Sequence, residues 1–313
     1  MRIGVDIGGT TTSGVLLDHR QHVVDDFTRS TMVGHEGVVS TVFDVVSRLQ
    51  QSTRNKGALS GIGIGVPGAV DVLTGTVYHA INLRLDQLRI GPIVADRFKT
   101  QVAIDNDVNS AALGFAHWLK RNETQTVDSV AYLNLGTGLA AGYVFGGRVW
   151  RGRQGISGEI GHIPIDSNGI VCVCGMRGCL ETIVSSTRLE NECFALGIST
   201  PTLLDAVGSG DPCANRIWHE FTLGVAHAVR MLILAVGVDV VAIGGGLSHF
   251  GVPLLDRVGQ VFDGWSSVSP FLGLLRVRER LRLVPEAANA GATGAGLLLA
   301  RKDARMTVNG ATR

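Results

Sequence analysis

The sequence predicts an α/β chain built by internal duplication, and three observations predict it. Residues 3–7 alternate in period 2 (Ile3, Val5, Ile7), pass a Gly-Thr turn and enter a second apolar run at 14–17. The same strand–turn–strand theme returns over 129–145, around NLGTG at 134–138. Helical and strand periodicities then alternate behind each copy, the pattern of βα units. With 313 residues the chain has room for about two domains. A chain of that length buries a core large enough to fold without a disulfide or a metal.

Taken in order, a third strand is expected over 22–28. Val38, Val42, Val45, Val46 and Leu49 recur at helical spacing and mark a helix over 36–54. Residues 60–66 read as a buried strand, stopped by Pro67-Gly68. Helices over 87–99 and 107–119 flank a short strand at 102–104, the second helix opened by a cluster, Asp105-Asn106-Asp107, able to cap it. The second half begins with strands at 129–135 and 139–145 and another near 148–150. It continues with a long helical region over 212–236 and the strand VDVVAIGGG at 238–246. A last helix, 291–301, precedes a polar tail. The polar stretch 120–128 is the expected seam between a smaller domain, 1–119, and a larger one, 120–290, with the last helix packing back on the first.

Composition narrows the function. Twenty-eight basic and 27 acidic residues leave a net charge of +1, which offers no footprint for nucleic acid or an anionic membrane. The N-terminus shows no apolar h-region of the roughly 7–15 residues a signal peptide carries. The most apolar stretch, 231–246, is broken by Asp239 and four glycines and is too short to span a bilayer. Five cysteines, an odd number without an export signal, read as reduced thiols in the cytoplasm. Glycine is over-represented, 42 of 313 residues against an average near 7%, without a Gly-X-Y period.

Part of that glycine lies in loops suited to phosphate. A strand ending in Asp6, then Gly8-Gly9-Thr10, exposes backbone N–H groups with no side chain in the way. The hydroxyls of Thr10, Thr11 and Thr12 add donors, and Asp6 can orient a Mg²⁺ or its waters. An ordinary hairpin turn has the same composition. A related loop, Gly136-Thr137-Gly138, in the matching place of the second half favours a phosphate clamp. A third, Gly244-Gly245-Gly246, follows a buried strand and precedes a helix, a position that suits a nucleotide at a helix N-terminus. None is a Walker A loop or a dinucleotide fingerprint.

The sharpest signal is His162 followed by Cys172, Cys174 and Cys179, with Gly175 and Gly178 allowing the tight turns between the thiols. One imidazole and three thiolates complete a tetrahedral Zn²⁺ shell, and a shell closed by four protein ligands is structural rather than catalytic. The alternative, three packed core thiols, does not suit so polar and Gly-rich a segment. Cys193 and Cys213 are expected to be unliganded core thiols. Glu159 and Glu181 flank the cluster, placed to accept paired hydrogen bonds from vicinal sugar hydroxyls; solvated carboxylates are the plain alternative. Asp105-Asn106-Asp107-Val108-Asn109 leaves two readings open: a helix cap, or a carboxylate that accepts a hydroxyl proton beside an amide that binds a second hydroxyl.

Together these motifs resemble the ROK family of sugar kinases and repressors over nearly the whole chain. DIGGTTT at 6–12 and LGTGLAAG at 135–142 resemble its phosphate motifs, and DNDVN at 105–109 its catalytic segment. GEIGHIPI at 158–165 with CVCGMRGCLE at 172–181 resembles its sugar and zinc signature, and IGGGLS at 243–248 its adenosine motif. The resemblance implies a duplicated actin-like, ribonuclease-H-like ATPase fold whose two domains close around a central cleft over ATP and a hexose. It implies Asp107 as the base that deprotonates the sugar hydroxyl, with Asn106, Glu159, His162 and Glu181 as sugar ligands and Gly68 nearby. His162 then serves twice, one ring nitrogen on zinc and the other toward the sugar. A homodimer or homotetramer is implied as well.

Thr11 stands where the family often has Lys, Asp105 where Glu is usual, and Ala140 and Ala141 in the second loop. The segment after Asn82 lacks the Trp often found in the glucokinases. The expected activity is ATP-dependent phosphorylation of a hexose, glucose at its 6-hydroxyl first, with N-acetylmannosamine, N-acetylglucosamine, fructose or allose as alternatives. A sugar-responsive repressor is the competing class; its helix-turn-helix domain has no room before a phosphate motif that begins at residue 6. A non-catalytic sugar-binding protein is a third, opposed by the presence of Asp6, Asp107 and both Gly-Thr loops.

Overall fold

The computed structural model describes residues 1–53 and 58–300. In chain order the first elements are β1 (Arg2–Ile7), β2 (Thr11–Leu17), β3 (Val23–Ser30), α1 (His35–Gln51), β4 (Gly61–Val66), β5 (Ala69–Asp71), β6 (Thr76–Ala80), β7 (Leu85–Leu88), α2 (Ile90–Phe98), β8 (Val102–Asn106) and α3 (Asp107–Asn122). There follow β9 (Ser129–Leu135), β10 (Leu139–Phe145), β11 (Arg148–Val149), α4 (Ser186–Ala195), α5 (Leu203–Gly208), α6 (Pro212–Met231), β12 (Val240–Gly244) and α7 (Gly251–Val268). Two short helices, α8 (Pro270–Gly273) and α9 (Val277–Arg280), precede β13 (Leu281–Leu283) and α10 (Ala290–Leu297).

The described residues form two compact units, 1–110 with 291–300, and 111–290. Each is centred on a five-stranded sheet, ordered β3-β2-β1-β4-β8 in the first and β11-β10-β9-β12-β13 in the second. In both, the opening strand pairs antiparallel with the next and parallel with the fourth of its set. The duplication therefore holds at the level of strand order and direction. The division falls inside α3, between Ser110 and Ala111, not in the polar stretch after 119. Polar composition marks where the chain surfaces to turn, whereas α3 runs on as one helix and carries buried Phe115 and Leu119 past the seam.

In the first unit α1 lies on one face of the sheet: a side chain at Gly14 would strike Val45 and Leu49. Val38, Val42, Val45, Val46 and Leu49 of α1 are fully buried, each such side chain worth about 1.5–3 kcal/mol against exposure. The other face meets α10 with almost no side chain between. A Cβ at Gly4 would run into the carbonyl oxygen of Ala292, and one at Gly63 into that of Ala295. The residues missing from the expected pattern are β5, β6 and β7, a separate three-stranded sheet. β7 occupies part of the span read as a helix over 87–99, and α2 begins only at Ile90. The expected helix end at 54 and the tail beyond 300 lie outside the described residues.

In the second unit α6 starts where Asp211 caps it, accepting from the Ala214 N–H at 2.7 Å, with Pro212 in the first turn. Trp218, Phe221 and Phe250 pack their rings against one another, tilted or edge to face, in the core of this unit. Among the described residues one helix, Pro212–Val236, is long and apolar enough to cross a membrane. It spans the expected helical region, and its Ile217, Phe221, Val225 and Val229 are buried in the core of the second unit. Cys193 is buried as expected, but Cys213 is exposed, because it falls on the outer side of the first turn of α6.

The bare contact between sheet and α10 gives a direct test. Gly63→Ala is expected to destabilise the chain by about 1–3 kcal/mol, the usual range for overpacking against rigid backbone, read as a lower midpoint of urea denaturation.

Candidate active site

The first Gly-Thr loop joins β1 to β2. The Gly8 N–H donates to the Thr11 carbonyl at 2.8 Å and closes the turn, leaving Gly9, Thr10 and Thr11 exposed. Thr12 does not join them. It is fully buried, its hydroxyl 2.8 Å from that of Thr31, whose own hydroxyl lies 2.8 Å from the Gly8 carbonyl. Thr12 thus braces the loop from beneath, and the expected phosphate donor is a structural one. Asn82, unremarked in the sequence, lies against the loop: a Cβ at Gly9 would sit 3.3 Å from Asn82 Cβ. No spacing rule reports that approach, because a separate turn, Ile81–Leu83, delivers the side chain.

Asp6 ends β1 beside Gly65 of β4. Burial, reinforced by the charge of Asp107, pushes its carboxyl from 3.8 up to about 7. Asp107 stands in the first turn of α3, where the helix's positive end favours an anion. Its neighbours do the capping. The Asn106 side-chain oxygen accepts from the N–H groups of Val108 (2.9 Å) and Asn109 (3.3 Å), and its amide donates to the Gly68 carbonyl at 3.3 Å. Asp105 is buried and accepts from the Asn106 N–H at 2.8 Å and the Asn109 amide at 3.1 Å. The capping reading of this segment is therefore met, by Asn106 and Asp105 rather than by Asp107. Asn106 has its oxygen engaged in the cap, which leaves the amide to face any ligand.

The second Gly-Thr loop joins β9 to β10 in the same way, the Gly136 N–H donating to Gly138 at 3.1 Å and Thr137 exposed. The third loop departs from expectation. Gly244 is buried, and a side chain there would collide with the Tyr132 ring, so this glycine serves packing. Gly245 lies against the end of β9, Gly246 is exposed, and a short helical turn, Gly246–Phe250, separates them from α7.

The GEIGH segment docks on β10 through its two glycines. At Gly158, with φ at +105°, a Cβ would run into the Ala141 carbonyl, and at Gly161 into that of Leu139. The Ala141 N–H donates to the Gly158 carbonyl at 2.8 Å. This grip fixes the residues between and beside the glycines, Glu159 and His162. Glu159 is exposed as a residue, yet packing around its carboxyl raises its pKa, an effect His162 opposes and Glu181 reinforces. The charges of His162 and Glu181 therefore reach the Glu159 carboxyl.

His162, Cys172, Cys174 and Cys179 each offer a ligand atom, all within 4.8 Å of one another. His162 Nδ1 lies 3.6 Å from Cys172 Sγ, and Cys174 Sγ lies 3.6 Å from Cys179 Sγ. A tetrahedral ion with sulfur at about 2.3 Å and nitrogen at about 2.0 Å sets its ligands about 3.5–3.8 Å apart, so the donor set fits zinc. Burial, with the two other thiols beside it, pushes the Cys179 thiol up to about 12; three thiolates this close together need a cation among them.

A ROK family profile matches residues 2–302. The chain belongs to the ROK family. A glucokinase from Halalkalibacterium halodurans is 30% identical to it over 97% of this chain and 96% of that protein. The ROK hexokinase of Thermus thermophilus superposes with a TM-score of 0.77 at 29% identity, covering 95% of this chain and 96% of that one. A ROK glucokinase from Streptomyces griseus, solved with glucose and AMPPNP, gives 0.75 at 27% identity, covering 95% and 98%. The actin-like, ribonuclease-H-like architecture is thus that of the ROK sugar kinases.

In this ROK chain two predictions follow from the site's electrostatics and ligands. Between about pH 4 and 7 folded Asp6 keeps a proton that the unfolded chain has lost. Its stabilisation is full below the unfolded value and disappears as pH rises through about 7. Asp6→Asn is expected to raise the melting temperature at about pH 8 and to leave it nearly unchanged at about pH 4; an equal shift at both pH values contradicts the assignment. Cys174→Ser is expected to lose bound metal and to speed proteolysis within 163–178, checked by metal analysis and timed digestion.

Proposed function

We propose that the protein transfers the γ-phosphoryl group of ATP to a hexose hydroxyl, with glucose and its 6-hydroxyl as the preferred acceptor. The observation that carries this reading is the corner of the second unit where the Glu181 carboxylate rests on a Gly-Thr loop and the GEIGH segment, which carries Glu159 and His162, packs against the same side chain at Gly161. Two carboxylates and an imidazole are acceptors and donors for a polyol, and an exposed Gly-Thr loop is a phosphate cradle.

Phosphoryl transfer is mostly positioning and charge neutralisation. Asp107 accepts the proton of the attacking hydroxyl at its carboxylate. In the first unit Asn106 offers its amide to a hydroxyl, with Gly68 beside it, and Gly9, Thr10 and Thr11 are suited to phosphate oxygens. In the second unit Glu159, Glu181 and the His162 nitrogen turned away from the thiols are suited to sugar hydroxyls, and Thr137 and Gly138 to phosphate. Gly245 and Gly246 flank the nucleotide. Asp6, crowded by burial and by Asp107, suits a divalent cation. Mg²⁺ bound there supplies positive charge to the phosphates. Zn²⁺, held by His162, Cys172, Cys174 and Cys179, supplies rigidity alone.

A coupled assay of ADP release with a panel of hexoses tests the reading: turnover is expected with glucose above the N-acetylated sugars, fructose and allose. No ADP release with any of them contradicts it. Asp107→Asn is expected to lower kcat by about 10²–10⁴-fold, the usual worth of a general base, while glucose binding by calorimetry persists. Near-normal turnover in that variant contradicts the role of Asp107.

A further inference from the structure

The residues that follow the last cysteine return directly to the second Gly-Thr loop. The Leu139 N–H, just beyond Gly138, donates to Glu181 Oε2 at 2.9 Å. A Cβ at Gly138 would lie 2.6 Å from that same oxygen, so the carboxylate rests on the loop where a side chain would otherwise be. Five residues on, the Ser186 N–H donates to the Gly136 carbonyl at 2.8 Å. The Thr187 hydroxyl reaches the Thr137 carbonyl at 3.5 Å. Leu180, just before Glu181, and Val184, between these points, are fully buried, anchoring the segment in the core of the second unit. The loop's backbone is thus gripped from one side by a segment whose start is Cys179, one of the four clustered ligands.

We propose that Glu181 is a positioning residue for the nucleotide's phosphates as well as a group that faces the sugar. One carboxylate oxygen holds the Gly-Thr loop through Leu139, and the other remains for a sugar hydroxyl. The loop carries no charged side chain of its own: its shape, set by where its backbone N–H groups point, is all it has to offer an anion. Glu181 sets that shape. Because Glu181 stands two residues after Cys179, the conformation of the clustered ligands reaches the phosphate loop through one short, buried connection. Sugar binding, nucleotide binding and the thiol cluster then share a single side chain.

This rests on the kinase reading, and calorimetry of ADP binding without sugar separates the two. The unaltered chain is expected to bind ADP; if it does not, the kinase reading falls and the proposal with it. Glu181→Ala is expected to weaken ADP binding about tenfold or more, the factor that 1.4 kcal/mol represents, with its zinc content unchanged. Glu181→Gln, whose amide oxygen still accepts from Leu139, is expected to restore most of that affinity. ADP affinity equal to the unaltered chain's in Glu181→Ala, with only the sugar KM raised, overturns the proposal. Hydrogen exchange on the unaltered chain gives a measurement independent of any variant. The Leu139 amide is expected to be protected, and to lose protection when a chelator strips the metal. A Leu139 amide that exchanges at the same rate with and without metal overturns the link to the thiol cluster.

Discussion

One imidazole and three thiols are drawn together in a segment that has little else to hold it. Between β11 and α4 the chain forms no long helix or strand, only two short helical turns, Ile160–His162 and Leu180–Thr182, and isolated bridges. Its ends are anchored by buried Ile160, Leu180 and Val184, but the stretch between supplies no core of its own: Val173 is 94% exposed, and Val171 and Met176 also face solvent. That stretch is drawn together instead by the cluster of His162, Cys172, Cys174 and Cys179, a donor set that fits a metal ion. Glu159 and Glu181 hang on that loop's two ends, so the proposed sugar contacts inherit its rigidity.

The second device is the omission of side chains. Gly158 and Gly161 let the GEIGH segment lie on the backbone of β10, and Gly4 and Gly63 let α10 lie on the first sheet. Both contacts hold polypeptide to polypeptide, where no rotamer can shift to relieve an added atom. That explains why a chain with only 10 Phe, 4 Trp and 3 Tyr carries 42 glycines. Precision here comes from close backbone approach more than from large interlocking side chains.

Much of this was legible in the sequence because the signals were local. The strand–turn–strand repeats at both ends of the duplication and the helical stripe of α1 are local periodicities, and they fell where expected. The Cys and His spacing converged as its chemistry required. What escaped depended on distant partners. Thr12 looked like one more exposed hydroxyl, yet Thr31, 19 residues away, buries it. Gly244 looked like part of a nucleotide loop, but the Tyr132 ring occupies the space above it. Glu181 was chosen for its nearness to the cysteines, with no hint that it also holds Leu139. The three-stranded sheet of β5, β6 and β7 went unseen because strands of three to five residues are too short to show a period.

X-ray absorption at the zinc edge on the purified protein tests the central claim most directly. The account predicts about one zinc per chain, with three sulfur neighbours at about 2.3 Å and one nitrogen at about 2.0–2.1 Å. A protein that carries no zinc, or zinc surrounded by oxygen and nitrogen alone, would contradict it.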